Sequence, residues 1–221
     1  MNGLTRFRRW RKVNPNECVN CIGFPCLDVN KDCYLVPNVE VNTDKIRALM
    51  VSEAPPTELQ EYFYAEGNPF YMQTTAQAFK DAGFEVTSMD DVLDLGVYVT
   101  TAIKCGKTGY SVSSKTVENC SSLLEKELDL LPNIKAILLM GDTAIKSMNY
   151  IAMRKTGKRI VPSGSTYRIR KNDYFYNDVR VFPTYLQTGK SYLIEKSKRK
   201  MIAEDIKTAL KKKRFLAEQQ H

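Results

Sequence analysis

Four short runs of branched apolar residues recur along the chain, and longer stretches with helical periodicity separate them. The apolar runs cover residues 46–52, 97–103, 134–140 and 179–183. Each is too short for a free-standing helix and predicts a buried strand. Helices are predicted over about 73–83, 113–131, 142–153 and 191–217. Strands that alternate with helices predict a three-layer α/β/α fold around a central, mainly parallel, four-stranded sheet.

The length of 221 residues suits one domain with appendages. We expect a flexible basic arm over residues 1–17, a single domain over 18–221, and within it a basic insertion at about 154–178. Apolar residues make up 43% of the chain and charged residues 26%, as in soluble globular proteins. No apolar run is long enough to span a membrane, and the first residues lack the apolar core of a secretion signal. We therefore expect a cytoplasmic monomer.

The net charge of +8 is concentrated in three segments. Residues 6–12 hold five basic residues and no acid, residues 154–180 hold eight against two acids, and residues 190–214 hold ten against three. Aromatic residues are interspersed with these segments. Basic side chains bind phosphates and aromatic rings stack on bases, so the pattern favours nucleic acid as the partner over a merely solvated surface.

The ends of the predicted strands carry residue types that a connecting loop does not require. They read SEAPP, AIKC, MGD and FPTYLQT, in chain order. In open α/β sheets, ligands bind at the carboxyl ends of the strands. A functional site is therefore predicted at this edge of the sheet.

Six cysteines in a cytoplasmic protein indicate metal binding or reactive thiols, because structural disulfides are rare in that compartment. Two sets of four ligands compete: a local set of Cys18, Cys21, Cys26 and Cys33, and a split set that joins the first two to Cys105 and Cys120. Four thiolates suit either zinc or an iron–sulfur cluster. The single histidine is residue 221, so a site with histidine ligands is not expected. Spacing alone does not decide between the sets.

Several motifs, taken in order, resemble a known family. The motifs are CVNC (18–21), ALMVSEAPP (48–56), GNPFY (67–71), VYVTTAIKC (97–105), ENC (118–120), LLMGDTA (138–144) and FPTYLQT (182–188). Together they resemble the uracil-DNA glycosylase superfamily, and most closely its family 4 enzymes, which carry a 4Fe-4S cluster. The resemblance covers most of the chain and implies the same α/β fold and DNA as the partner.

The resemblance also implies the cofactor and its ligands. It assigns a 4Fe-4S cluster to Cys18, Cys21, Cys105 and Cys120, as a structural staple near the DNA surface. Cys26 and Cys33 would then lie in an insertion, as ordinary thiols or a second site.

Cleavage of an N-glycosidic bond requires a carboxylate near the sugar and a base that has left the duplex stack. The resemblance places Glu53 at the family's acidic position, with Glu58 and Glu61 as reserves and Phe70 as the residue that stacks on the base. Further positions of the base pocket follow from it: Ser52, Pro55, Tyr71, Thr101, Leu186, Gln187 and Thr188. Contacts with the DNA strand are expected from the basic insertion and the residues after it: Arg159, Arg168, Arg170, Lys171 and Lys190. Leu186 or Tyr185 would be the wedge in the duplex.

Two departures from the family pattern bear on specificity. The family has His-Pro-Ser where this chain has Leu186, Gln187 and Thr188, and an asparagine that reads uracil where this chain has Thr101. Loss of a donor to the leaving base typically lowers the rate about 100-fold or more. Both changes favour a roomier pocket that is less tuned to uracil.

The sequence therefore predicts a monofunctional DNA glycosylase that removes a modified pyrimidine, such as a hypermodified base of viral DNA, in a defence role. No lysine is placed for Schiff-base chemistry, so lyase activity is not expected. Two alternatives stay open: a non-catalytic iron–sulfur protein that binds nucleic acid, and a uracil-DNA glycosylase of base-excision repair that acts on DNA damage.

Overall fold

The computed structural model describes residues 12–211, except for the side chains of Lys190 and Ser191. The strands are β1 (Val29–Asn30), β2 (Ala48–Ser52), β3 (Val97–Thr101), β4 (Gly106–Lys107), β5 (Ala136–Met140), β6 (Tyr174–Tyr176) and β7 (Val179–Thr184). The helices are α1 (Pro15–Cys18), α2 (Phe70–Asp81), α3 (Met89–Asp94), α4 (Ser114–Asp129), α5 (Asp142–Thr156), α6 (Thr166–Ile169), α7 (Lys190–Ile194) and α8 (Lys196–Ala209). Within this part of the chain, no helix combines the length and the apolar character needed to cross a membrane.

The central sheet has five strands in the order β3-β2-β5-β7-β6. The first four are parallel, as predicted, and the fifth, β6, pairs antiparallel with β7 at the edge. The predicted count of four strands was one too low. β6 has only three residues and is joined to β7 by the two-residue turn Asn177–Asp178, so it is too short to produce a recognisable alternation. Asn177 has a φ of 50°, which an asparagine tolerates in tight hairpins.

The predicted strands are buried on both faces, as their apolar sequences indicate. Alternate residues enter two different cores. Met50, Val99 and Leu138 pack with α2, α3 and α8. Leu49, Tyr98 and Ile137 face the opposite side, where they pack with α4 and α5. This period-two division is what makes the fold three layers deep.

The last predicted helix is two helices in the structure. α7 ends at Ile194 and α8 begins at Lys196, and the two bury different faces: Tyr192 is 2% exposed whereas Ile194 is 76% exposed. α8 ends at Ala209, before the predicted end at 217, which lies outside the described residues. Asp81 of α2 binds both helices, through Tyr192 Oη at 3.1 Å and the guanidinium of Arg199 at 2.8 Å.

Segments expected to be appendages contain folded structure. Val13 forms a bridge with Val41, and Asn14 caps α1 by accepting a hydrogen bond from Asn16 N. Residues 1–11, the rest of the predicted arm, lie outside the described part. The region 154–178 contains the end of α5, α6 and β6. Asn149 ties its loop to α5, because its side-chain oxygen accepts from the amides of Ile160 and Val161, both at 3.0 Å.

Candidate active site

Glu53 follows β2 directly and lies against the N-terminus of α5. Thr143 N donates to Glu53 Oε1 at 3.4 Å. Gly141 precedes α5 with a φ of 95°, and a Cβ at this position would lie 2.8 Å from Glu53 Oε1. Only glycine leaves room for the carboxylate here. The partial positive charge of a helix N-terminus attracts anionic groups such as the carboxylate of Glu53.

Lys107 is the cationic partner of Glu53. It belongs to β4, two residues after Cys105, and its Nζ donates to Glu53 Oε2 at 3.0 Å. Both side chains are partly exposed, at 26% for the lysine and 18% for the glutamate. Lys107 Nζ also donates to the carbonyl of Tyr110 at 3.3 Å. Lys107 was not among the predicted site residues, although it follows closely on AIKC (102–105), a predicted strand end.

Glu53 and Lys107 open into a cavity of about 720 Å³ at the carboxyl edge of the sheet. Residues from four strand ends and from α5 and the α7–α8 region line it, among them Tyr110, Gly141, Lys146, Tyr185, Leu186, Glu195 and Lys198. This size is typical of ligand sites, which usually measure about 300–1,000 Å³. Tyr110 is 99% exposed at its edge. Lys198 pairs with Glu195 at 2.6 Å and lies 5.5 Å from the centre of the Tyr185 ring.

Three residues predicted for the base pocket lie behind Glu53. Ser52 Oγ is 3.4 Å from Thr188 Oγ1, which joins the end of β2 to the segment after β7. Burial raises the pKa of Tyr71, a hydrogen bond with Thr188 lowers it, and the charge of Glu53 raises it. Tyr71 therefore lies close to both Thr188 and Glu53. Leu186, also predicted, lines the cavity itself.

Other predicted pocket residues do not line the cavity. Pro55, Thr101 and Gln187 are buried. Thr101 Oγ1 and both amide atoms of Gln187 have no hydrogen-bond partner within residues 12–211. Thr101 adjoins a buried network instead, since its carbonyl accepts from Lys104 Nζ at 2.6 Å.

Glu58, Glu61 and Phe70, which were also predicted site residues, do not line the cavity. Glu58 is exposed, and it accepts a hydrogen bond from Gln60 Nε2 at 3.4 Å. Glu61 Oε2 accepts from Phe70 N at 2.5 Å, so it satisfies the first amide of α2. Phe70 is half-buried at the start of that helix, outside the cavity. Of the acids considered, Glu53 alone lines the cavity among the described residues.

The basic residues predicted to bind DNA fall into two groups. Arg159, Arg168 and Lys171 are exposed, and Lys171 Nζ lies 4.6 Å from the centre of the Tyr167 ring. Arg170 is instead packed on α8, where it donates to Asp205 at 2.7 Å and to the carbonyl of Met201 at 3.0 Å. Its guanidinium holds the insertion on the domain. The side chain of Lys190 lies outside the described part.

The cysteines are divided between one shared pocket and separate positions. Cys21, Cys26, Cys105 and Cys120 line the same small pocket between the N-terminal segment, the end of β3 and α4. Cys18 is exposed and does not line this pocket. Cys33 is buried elsewhere, with its Sγ 3.4 Å from the carbonyl of Thr57. Within residues 12–211, no group of three or more Cys, His, Asp or Glu side chains is close enough to hold a metal ion.

Four cysteines line this pocket, and its other walls are mostly apolar, with Phe24, Ile103 and Leu123. Thiolates are the ligands of iron–sulfur clusters, so the donor type suits such a centre, although as placed the four thiols do not form a group that could hold a metal ion. Burial raises the pKa of Cys105 to about 12 and that of Cys120 to about 11. The cause in both cases is the loss of solvent around the sulfur.

The fold, the strand-end acid and the adjoining cavity define an α/β protein with a carboxylate in a ligand-sized cavity at the carboxyl edge of its sheet. Residues 39–208 match the family model of the uracil DNA glycosylase superfamily, and the chain therefore belongs to this superfamily. No individual curated protein matches the sequence. Membership assigns the chain to the DNA glycosylases, hydrolases that act on DNA.

Gly141 offers a test of the contact between α5 and Glu53. We expect Gly141→Ala to lower stability by about 1–3 kcal/mol, because its backbone conformation is essentially restricted to glycine. It should also reduce base release, because the new Cβ displaces the carboxylate. Gly157→Ala is the matched control: this glycine ends the same helix with a φ of 72° and has open space around its Cβ position.

Urea denaturation and the single-turnover rate of base release would be measured for both variants. Gly157→Ala should lose stability with the rate unchanged. Equal rates for the two variants would contradict a role for Gly141 in positioning Glu53.

Proposed function

We propose that this chain removes a modified pyrimidine other than plain uracil from DNA and leaves an abasic site. The observation that carries the proposal is the cavity beside Glu53, in which Leu186 occupies the wall where the family resemblance expects a histidine. At about 720 Å³ the cavity exceeds what a single pyrimidine ring requires, so it has room for a substituent on the ring. Thr101, in place of the amide that would read uracil, is buried and does not line the cavity.

The proposed reaction is hydrolysis at the anomeric carbon of an extruded nucleotide. Glu53 takes a proton from a water molecule whose oxygen bonds to C1′ of the sugar. The C1′–N bond breaks, and the base leaves with its electron pair and is then protonated. Since the sugar becomes positively charged as the bond breaks, the Glu53 carboxylate also stabilises it electrostatically.

Lys107 supplies a positive charge in a pocket that lacks the motif histidine. Its ammonium group is 3.0 Å from Glu53 Oε2 and lines the same cavity as Leu186. Negative charge develops on the departing base, and a fixed cation in a partly desolvated site stabilises it. Lys107 thus both orients the carboxylate and balances the leaving group.

We expect Lys107→Met to lower the rate of base release about 10- to 100-fold, since it removes one electrostatic donor. Lys107→Arg should retain a larger part of the rate because it keeps the charge. Lys115→Met is the control, as Lys115 is an exposed lysine of α4 that pairs with Glu118. If Lys107→Met releases the base as fast as wild type, Lys107 has no role in the mechanism.

Aromatic and apolar residues at the cavity, together with exposed basic residues of the domain, support duplex DNA as the substrate. Tyr185 and Leu186 line one side and Tyr110 stands at the edge, and these are candidates for the wedge that replaces the extruded nucleotide. Arg159, Arg168 and Lys171 are solvent-exposed and available to phosphates. Phosphate contacts of this kind position the protein without reading sequence.

We further propose that the thiol pocket holds a 4Fe-4S cluster as a structural staple. Cys105 follows β3 and Cys120 lies in α4, so a centre bound there ties the N-terminal segment to the sheet. When bound, the cluster supplies structural cross-linking rather than electron transfer. A yellow-brown protein that absorbs near 400 nm is the expected appearance, and zinc in place of iron would discard the cluster.

Incubation with a panel of DNA tests the function. Oligonucleotides with uracil, with other modified pyrimidines and with phage-derived hypermodified bases would be treated with the protein and then with alkali, which breaks strands at abasic sites. We expect breaks with modified pyrimidines that are absent with Glu53→Gln, and release of the free base by mass spectrometry. Cleavage restricted to uracil would favour repair of deaminated DNA. Tight binding without breaks on any substrate would favour a non-catalytic binding protein.

A further inference from the structure

The N-terminal cysteines contribute unequally to the thiol pocket. The pocket contains Cys21 and Cys26 together with Cys105 and Cys120, while Cys18 is exposed to solvent. The Cys-x2-Cys spacing would instead pair Cys18 with Cys21. The thiols that line this pocket therefore differ from the set that the family resemblance implies.

The loop from Cys21 to Cys26 turns back on itself. Gly23 and Phe24 follow each other with φ values of 75° and 41°. A left-handed conformation costs a non-glycine residue about 1–2 kcal/mol, so Phe24 requires compensating contacts. It finds one in Tyr34, whose ring lies edge-on at 5.1 Å. The reversal brings Cys26 to the pocket, where Asn119 Nδ2 lies 3.9 Å from its Sγ.

The chain that follows Cys18 is fixed by buried contacts. Val19 is fully buried in the apolar cluster that contains Cys105 and Cys120. Tyr34 Oη donates to the carbonyl of Val19 and accepts from Cys21 N, both at 3.1 Å. Cys18 thus precedes an anchored segment while its own side chain is exposed.

The pocket also provides hydrogen-bond donors to its sulfur atoms. Lys104 N donates to Cys120 Sγ at 3.3 Å, and Asn119 Nδ2 donates to Cys26 Sγ. Donors to the sulfurs stabilise thiolate ligands of iron–sulfur clusters. Cys33, by contrast, directs its Sγ to the carbonyl of Thr57, outside this group.

We infer that Cys26 is the fourth ligand of the cluster, together with Cys21, Cys105 and Cys120, and that Cys18 is a free thiol. The inference rests on the proposed cluster. It replaces a Cys-x2-Cys pair by the Cys-x4-Cys pair of residues 21 and 26. Cys18 then remains accessible to solvent in the loaded protein.

Iron and acid-labile sulfide would be measured per chain in wild type, Cys26→Ser, Cys18→Ser and Cys33→Ser, all purified without oxygen as full chains. Absorption near 400 nm and the electron paramagnetic resonance of the reduced protein would be recorded on the same samples. We expect Cys26→Ser to keep less than about a tenth of the wild-type iron, because a missing thiolate leaves one iron without its protein ligand. Cys18→Ser and Cys33→Ser should match wild type.

A double variant, Cys18→Ser with Cys33→Ser, protects the test against misfolding of Cys26→Ser. It should retain the full content of iron and sulfide, and loss of either would overturn the inference. Alkylation of the loaded wild type should label Cys18 and leave Cys26 unlabelled until the iron is chelated. Labelling of Cys26 in the loaded protein, or iron loss in Cys18→Ser alone, would also overturn it. Wild type without iron or sulfide would instead refute the cluster itself.

Discussion

Glu53→Gln is expected to lower the rate of base release by about 100-fold or more, which corresponds to about 2.7 kcal/mol of transition-state stabilisation. The substitution preserves the size of the side chain and removes its charge and its ability to accept a proton. The amide would still lie beside Gly141 and Lys107, so the cavity should keep its shape. The effect should therefore fall on the rate of the chemical step rather than on DNA binding.

Single-turnover base release and DNA affinity, measured on the same preparation, separate these effects. Glu58→Gln is the informative comparison, because Glu58 was a catalytic candidate by sequence but is exposed in the structure. It should retain close to wild-type activity. A larger loss of rate in Glu58→Gln than in Glu53→Gln would show that Glu58 is the catalytic acid residue. The cavity beside Glu53 would then not be the site of the chemistry.

Glu127→Leu is expected to destabilise the protein by about 3–5 kcal/mol, since it leaves a lysine buried without its counter-ion. Glu127 and Lys104 form an ion pair in which neither side chain is exposed. Glu127 also accepts from Tyr98 Oη at 2.7 Å and from Thr100 Oγ1 at 2.8 Å. In a domain of this size the loss corresponds to a fall in melting temperature of about 6–20 °C.

Two further variants separate charge burial from general damage to α4. The double variant Lys104→Met with Glu127→Leu should recover most of the lost stability, because a buried ion pair replaced by apolar residues of similar volume is often neutral. Glu118→Ala, which removes an exposed pair on the same helix, should cost less than about 0.5 kcal/mol. Stability would be measured by thermal unfolding. Equal losses of stability in Glu127→Leu and Glu118→Ala would show that leaving the buried lysine unpaired has no special energetic cost.

Much of the fold could be predicted from hydrophobic periodicity. Four strands with apolar residues on both faces have a strong signal, and all four are parallel neighbours in the sheet. β6 was missed because three residues contain too little alternation. The break at Glu195 was missed because apolar spacing does not show which face a residue buries, and Ile194 turns outward while Tyr192 turns inward.

The candidate site was predicted in part. The position of Glu53 at a strand end follows from the chain order, and the structure places it in a cavity there. The ion pair of Glu53 with Lys107 depends on β4, a two-residue strand paired with β1. Two residues are too few to give a recognisable strand pattern in the sequence. The thiols illustrate the same limit: both predicted ligand sets included Cys18, whereas in the structure Cys18 is exposed and Cys26 lines the pocket with Cys21, Cys105 and Cys120.

β4 links the thiol pocket to the acid–lysine pair of Glu53 and Lys107. It begins one residue after Cys105 and contains Lys107, so only Gly106 separates the sulfur-bearing residue from the partner of the acid. Gly106 is packed against Cys33 Cβ, where a Cβ would approach to 2.9 Å, and it has little freedom to absorb movement. A displacement of Cys105 in the thiol pocket would therefore reach Lys107, and with it the acid–lysine pair, through a single intervening residue.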